Sequence, residues 1–99
     1  MRIVAITSCP TGIAHTYMAA EALERAGKKL GHQIKVETQG AMGIENALSA
    51  ADIAAADAVI FAVELPVLKR ERFAGKTNLL EVPVQAAIKD PAALFAKLI

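Results

Sequence analysis

Cysteine occurs once in these 99 residues, tryptophan is missing, and aromatic side chains make up only 4% of the chain. A lone thiol forms no internal disulfide, which fits a reducing compartment, and it has no second sulfur for dithiol redox chemistry. Charge of one sign is lacking too. The net charge is +1 with no basic stripe, so there is no reason to expect a nucleic-acid partner. Long apolar runs are also absent. Ala58-Val59-Ile60-Phe61-Ala62-Val63 falls far short of the roughly 20 residues that span a bilayer. The N-terminal apolar stretch is brief and ends in a polar turn, which is not a secretory pattern. These absences predict a soluble, cytoplasmic chain without direct membrane insertion.

What is present is alanine and aliphatic residues, which carry the hydrophobic fraction to 55%. This length supports one compact domain, residues 1–99. Strand and helix patterns alternate from end to end, with no repeat, linker or low-complexity tract. A first strand is predicted over Arg2–Thr7. A helix follows from Ala14 to Leu30, with Met18, Ala19, Ala22, Leu23, Ala26 and Leu30 on its inner face and Gly31 as its stop. The second strand, Gln33–Thr38, alternates Ile34, Val36 and Thr38 with Lys35 and Glu37, which predicts one wet face. The Gly40-Ala41-Met42-Gly43 stretch leads into a helical segment. Ser49 and Asp52 then form a capping box for a helix over Ala50–Ala56. A third strand covers Ala58–Val63, a fourth Thr77–Val82, and Asp90-Pro91 starts a last helix through Leu98.

The first and third strands are apolar on both faces and belong at the centre of a parallel sheet, whereas the charged second and fourth suit its edges. Right-handed crossovers then give a single-domain α/β fold. It is a Rossmann-like, four-stranded parallel sheet of order 2-1-3-4 with helices on both faces. The winding reverses between the first and third strands, and open sheets bind ligands at the carboxyl end of such a point.

The one cysteine belongs at that place, in Ser8-Cys9-Pro10-Thr11-Gly12-Ile13-Ala14-His15-Thr16. Beside a helix N-terminus a thiol ionises more readily, and nearby backbone N–H groups hold anions. Pro10 stiffens the turn, Gly12 lets an anion approach the backbone, and Ser8, Thr11 and Thr16 offer hydroxyls. A buried, inert cysteine is the ordinary alternative. The flanking Pro, Gly and hydroxyl residues favour a nucleophile in a phosphate cradle.

Several chemistries compete for that loop. Low-molecular-weight cysteine phosphatases and related arsenate reductases use a similar turn. The phosphatases clamp phosphate with an arginine six positions after the nucleophile. Here that position is His15, and no arginine or lysine occurs from Ile3 to Leu23. The bidentate grip is missing, which argues against hydrolysis. Cys9, His15 and His32 are too few and too scattered for a metal site.

Cys9-Pro10-Thr11-Gly12-Ile13-Ala14-His15-Thr16, followed by Met18-Ala19-Ala20-Glu21-Ala22-Leu23, resembles the IIB component of the fructose-type bacterial sugar phosphotransferase system. The resemblance continues through Val36-Glu37-Thr38-Gln39-Gly40, Ala56-Asp57-Ala58-Val59-Ile60 and Arg72-Phe73-Ala74-Gly75-Lys76. It implies a phosphotransferase in which Cys9 carries the phosphoryl group and residues Pro10, Thr11, Gly12, Ile13, Ala14, His15 and Thr16 bind it. The implied partners are a phosphohistidine-bearing IIA protein or domain, a membrane-bound IIC permease and a sugar substrate. The chain would be cytoplasmic and would meet the membrane transiently through the permease, with no cofactor or metal.

Three features outside the loop stay open. His15 either contacts the phosphate or orients the loop. Glu64, at the end of the third strand beside Gln39 and Gly40, is an acid/base candidate or a solvated carboxylate. Lys69, Arg70, Arg72 and Lys76 dock an acidic partner or form an ordinary solvated face.

Overall fold

In the computed structural model, residues 1–9, 13–41 and 43–98 are described, Ile13 by its backbone alone. Five strands and four helices form one α/β domain: β1 (Arg2–Ser8), α1 (Ile13–Lys29), β2 (Gln33–Gly40), β3 (Gly43–Glu45), α2 (Ala50–Ala55), β4 (Ala58–Val63), β5 (Leu79–Val82), α3 (Val84–Lys89) and α4 (Pro91–Ala96). A 3₁₀ turn covers Arg70–Phe73. The sheet order is β3-β2-β1-β4-β5. Its four longer strands are parallel and follow the expected order.

The expected four-stranded, all-parallel sheet is corrected at one edge. Beyond Gly40 the chain turns back, and Gly43–Glu45 pairs antiparallel with Thr38–Gly40. Gly43 (φ 87°) and Asn46 (φ 54°) supply the left-handed backbone on either side of that short strand. A strand therefore stands where a helical segment was expected, and β2 is interior.

Strand alternation sorts the core into two layers. Ile3, Ala5, Val36, Ala58, Ile60 and Ala62 face α1, α3 and α4. Val4, Ile6, Val59 and Phe61 face α2 and the 3₁₀ turn, with Phe61 edge-on to Phe73 at 4.9 Å between ring centres. On α1 the buried residues are Thr16, Ala19, Ala20, Leu23 and Gly27. Met18 and Leu30, expected in the inner stripe, are about half exposed, at 50% and 51%. The stripe is rotated because small residues lie against the sheet. A Cβ on Gly27 would sit 2.9 Å from Ile34 Cγ2, so glycine there permits the close approach of helix and strand.

The helix stops follow the sequence. His32 N donates to Gly27 O and Gly31 N to Lys28 O, with Gly31 at φ 82°, the paired bonds of a Schellman close. Ser49 and Asp52 form the reciprocal capping box of α2. Asp52 also accepts from Lys35 Nζ at 2.8 Å. That bond, followed by those from Ser49, holds its carboxyl down at about 2. Helix α3 was not anticipated. It is one and a half turns, started by Pro83 and followed by Asp90, which caps α4.

The expected wet face of β2 holds at Lys35, which stays partly exposed, but is covered at Glu37. Glu37 is fully buried, and Arg72 grips it with both arms, Nη1 to Oε1 at 2.8 Å and Nη2 to Oε2 at 2.9 Å. Leu48 N and Gln39 Nε2 also donate to the carboxylate. Arg72 reaches further, to the carbonyls of Leu48, Leu68 and Lys69. One ion pair thus pins two loops, around residues 46–48 and 64–72, onto β2.

Burial pushes the Glu37 carboxyl up, but the Arg72, Leu48 and Gln39 hydrogen bonds outweigh it and bring it below its ordinary value. The stabilisation from such a depressed carboxyl is fully present above its unfolded pKa and disappears as pH falls through the folded one. Arg72→Ala leaves a buried, unmatched charge and is expected to cost about 3 kcal/mol in denaturant melts at neutral pH. The unmodified chain is expected to lose stability below pH 5, and Glu37→Gln to flatten that loss. Equal acid profiles for the two proteins would contradict this role for Glu37.

Candidate functional site

The site begins with the pleat of β1. Side chains alternate, so Ile3 and Ala5 join the α1 layer with Cys9, while Val4 and Ile6 face the other way. Glu64 N donates to Ser8 O at 3.2 Å, carrying the β1–β4 pairing to the edge of the sheet. Cys9 therefore leaves β1 at the carboxyl edge, at the reversal between β1 and β4. It is 8% exposed and packs with the core layer under α1.

Helix α1 starts close to this thiol. Thr7 Oγ1 donates to Thr16 O at 3.0 Å and fixes the first turns of the helix to the strand. His15 Nδ1 lies 3.8 Å from Cys9 Sγ, within hydrogen-bond reach for sulfur. A thiolate there accepts from Nδ1–H, and a thiol donates to a bare Nδ1. The first turn of α1 holds no acidic residue, and Lys28 and Lys29 stand in its last turn. The N-terminal end of the helix dipole thus lies near the thiol without a neutralising carboxylate from the first turn of the helix. That field favours a thiolate or an added anion.

Two hydroxyls at this edge have no hydrogen-bond partner among the described residues: Ser8 Oγ and Thr16 Oγ1, on residues 1% and 0% exposed. An unsatisfied buried hydroxyl costs about 1–3 kcal/mol, so its retention calls for a reason beyond packing. Thr16 lies against Gly40 at the end of β2. Of the expected phosphate-binding residues, Ala14, His15 and Thr16 occupy the start of α1 together with the Ile13 backbone. Pro10, Thr11 and Gly12 lie outside the described residues. No group of three or more His, Cys, Asp and Glu suited to a metal occurs among the described residues.

The remaining candidates separate clearly. Glu64 is exposed, yet its Oε1 accepts from Val84 N at 3.1 Å at the start of α3, so its described contact is that of a helix cap. Of the basic cluster, Arg72 is consumed by Glu37 and Lys76 reaches Ala56 O. Arg70 pairs with Glu81 and lies 5.0 Å over the Phe61 ring. The cluster is not a common acid-docking face, because three of its four cations turn back onto the fold. Sequence reasoning missed the wall that Gln39 builds. Its amide pairs with both backbone groups of Leu68, accepting from the N–H at 2.9 Å and donating to the carbonyl at 3.2 Å. The loop after β4 is thereby drawn across the end of β1, leaving a recess of about 310 Å³ between Ser8, Gly40, Leu65 and Pro66.

The fold recurs in known proteins. An arsenate reductase in its phosphate-binding state shares the fold, with a TM-score of 0.56 over the full length of both chains, at only 15% identity. Other likenesses run deeper. The family model described as "PTS system, Lactose/Cellobiose specific IIB subunit" matches residues 4–97. The chain is 50% identical over 97 residues to the PTS system fructose-like EIIB component 2 of Escherichia coli (strain K12), covering 98% of this chain and 91% of that one. It is 55% identical over 100 residues to the fructose-like PTS system EIIBC component of the same strain, covering 99% of this chain and 20% of that longer protein. A domain of the fructose-specific IIABC component from Borrelia burgdorferi superposes with a TM-score of 0.91 at 44% identity, covering 97% of this chain and 90% of that domain. Agreement this extensive, in sequence and in backbone alike, means that the chain belongs to the family of phosphotransferase-system IIB components.

Proposed function

We propose that this protein is a phosphocysteine carrier. In this reading Cys9 takes a phosphoryl group from a phosphohistidine on a IIA protein or domain and yields it to a fructose-like sugar entering through a membrane-bound IIC permease. The observation that carries the reading is the placement of Cys9 Sγ 3.8 Å from His15 Nδ1, at the N-terminus of a 17-residue helix with no acid in its first turn. Membership of the IIB family and a relative whose name joins B and C components support the partners.

The chemistry is two displacements at phosphorus. A thiolate lone pair on Cys9 forms the S–P bond while the N–P bond of the donor breaks, and the imidazole keeps that electron pair. A sugar hydroxyl then forms the O–P bond, the S–P bond breaks, and Cys9 returns as thiolate while the hydroxyl proton passes to a base. The N–H groups at the start of α1, the His15 ring and the Thr16 hydroxyl surround the phosphoryl oxygens with neutral or switchable donors. No Arg or Lys lies between Ile3 and Leu23. A fixed guanidinium would bind the dianion bidentately and assist attack by water. Its absence suits a group that must be held briefly and passed on, and it weighs against the phosphatase or arsenate-reductase alternative. No membrane-crossing helix occurs among the described residues, and the proposed contact with the membrane is a transient one through the permease.

Incubation with a phosphorylated fructose-type IIA protein is expected to add one phosphoryl group, labile in acid, to Cys9 in the unmodified chain and none in Cys9→Ser. Mass spectrometry of the intact protein and its peptides reads this directly, and labelling of the serine variant at another residue would refute the assignment. His15→Arg is expected to raise aryl-phosphate hydrolysis or slow transfer to sugar by about tenfold or more, a modest share of the roughly hundredfold or greater effect of one preorganised electrostatic donor. If both rates stay at their original values, the neutral-donor account of the site is wrong.

A further inference from the structure

Around the thiol edge the surface is apolar in an uneven way. Among the described residues six large hydrophobic side chains are exposed: Met1, Tyr17, Met18, Leu30, Leu65 and Leu68. Four of these six, Tyr17, Met18, Leu65 and Leu68, stand on the early turns of α1 or on the loop after β4, at the Cys9 end of the sheet. Leu68 is 56% exposed although both its backbone groups are held by Gln39 and its carbonyl also by Arg72. A loop so firmly fixed has enough hydrogen bonds to bury its side chain, yet it presents that side chain to solvent.

Lys69 follows it with φ 56°, a left-handed conformation that costs a non-glycine residue about 1 kcal/mol or more. Arg72 Nε holds its carbonyl at 2.9 Å. Unlike Arg70 and Arg72, Lys69 makes no salt bridge among the described residues, and it is exposed. The loop therefore offers one cation beside a rigid apolar step. The apolar part of that step, Leu65, Pro66 and Leu68, borders the recess that also reaches Ser8, the residue before Cys9.

We propose that Leu65, Pro66, Leu68 and Lys69 form the docking step for the phosphorylated donor protein. This rests on the carrier reading, because a donor that delivers phosphate to a sulfur only 8% exposed must cover the rim around it. Its apolar surface seats on Leu65 and Leu68, and Lys69 attracts the negative charge that a phosphorylated donor carries. A preorganised loop loses little entropy on docking, which is the use of the Gln39 and Arg72 hydrogen bonds. Charge attraction by Lys69 acts on encounter, so it weakens with salt, whereas apolar seating does not.

The test measures initial rates of Cys9 phosphorylation against the concentration of a purified, phosphorylated fructose-type IIA protein, using the full chain. Leu68→Ser and Lys69→Glu are each expected to raise KM for the donor at least about fivefold, with the rate at saturation unchanged. Lys89→Glu, on α3 away from this edge, is expected to leave KM unchanged. The Lys69→Glu penalty is expected to shrink in high salt and the Leu68→Ser penalty to persist. If the unmodified chain is phosphorylated and both variants keep its KM, the docking step is refuted while the carrier reading stands. If instead the variants lose only transfer from phosphorylated chain to sugar on permease-containing vesicles, the step serves the permease and the proposal is overturned. If the unmodified chain takes up no phosphate, the carrier reading itself fails. Far-ultraviolet circular dichroism matching the unmodified chain confirms that a shifted KM reports docking.

Discussion

The bidentate pair between Glu37 and Arg72 holds the Cys9 end of this fold in shape. A parallel sheet ends in loops, and loops wander unless something fixes them. Here a single buried carboxylate organises two of them, binding Leu48 N directly and, through Arg72, the carbonyls of Leu48, Leu68 and Lys69. Taking a carboxylate out of water is costly, and it is tolerable here because the charge is matched and the oxygens are satisfied. Gln39, two residues along the same face, repeats the device with a neutral amide. The loop after β4 is thereby laid across the end of β1, where the thiol emerges.

The opposite side of the thiol is built from helix rather than loop. Thr7 ties β1 to α1, small residues let the helix lie close to the sheet, and Gly27 allows the closest approach. Cys9 consequently looks into the start of a long helix whose partial positive charge no acid in the first turn cancels. One wall is rigid through hydrogen bonding and the other through packing. Between them lie a thiol, an imidazole and two hydroxyls without a partner among the described residues, a setting that suits an anion. A proposed carrier of phosphate needs this kind of restraint, since the group must be oriented yet must leave again.

Much of this was legible in the chain. Apolar runs at Ile3–Ile6 and Ala58–Val63 placed two central strands, and the reversal of winding between them put Cys9 at the carboxyl edge of the sheet. Gly31 and the Ser49/Asp52 box read correctly because caps depend on near neighbours. Strand β3 was hidden because three residues carry too little pattern, and α3 because a six-residue helix over Val84–Lys89 shows barely one turn of periodicity. Met18 and Leu30 misled because periodicity marks a stripe but not which alanines lie beneath it.

Local chemistry was therefore decided by sequence alone. A lone cysteine among proline, glycine and hydroxyl residues, between a strand and a helix, already specified a thiol under a helix dipole, because those influences act within a few residues. Tertiary structure alone decided what became of the charges. Glu37 looked wet and Arg72 looked free until folding brought them together across 35 positions in the chain. The sign of a charge is written in the residue, whereas its partner depends on which distant segments meet once water is excluded.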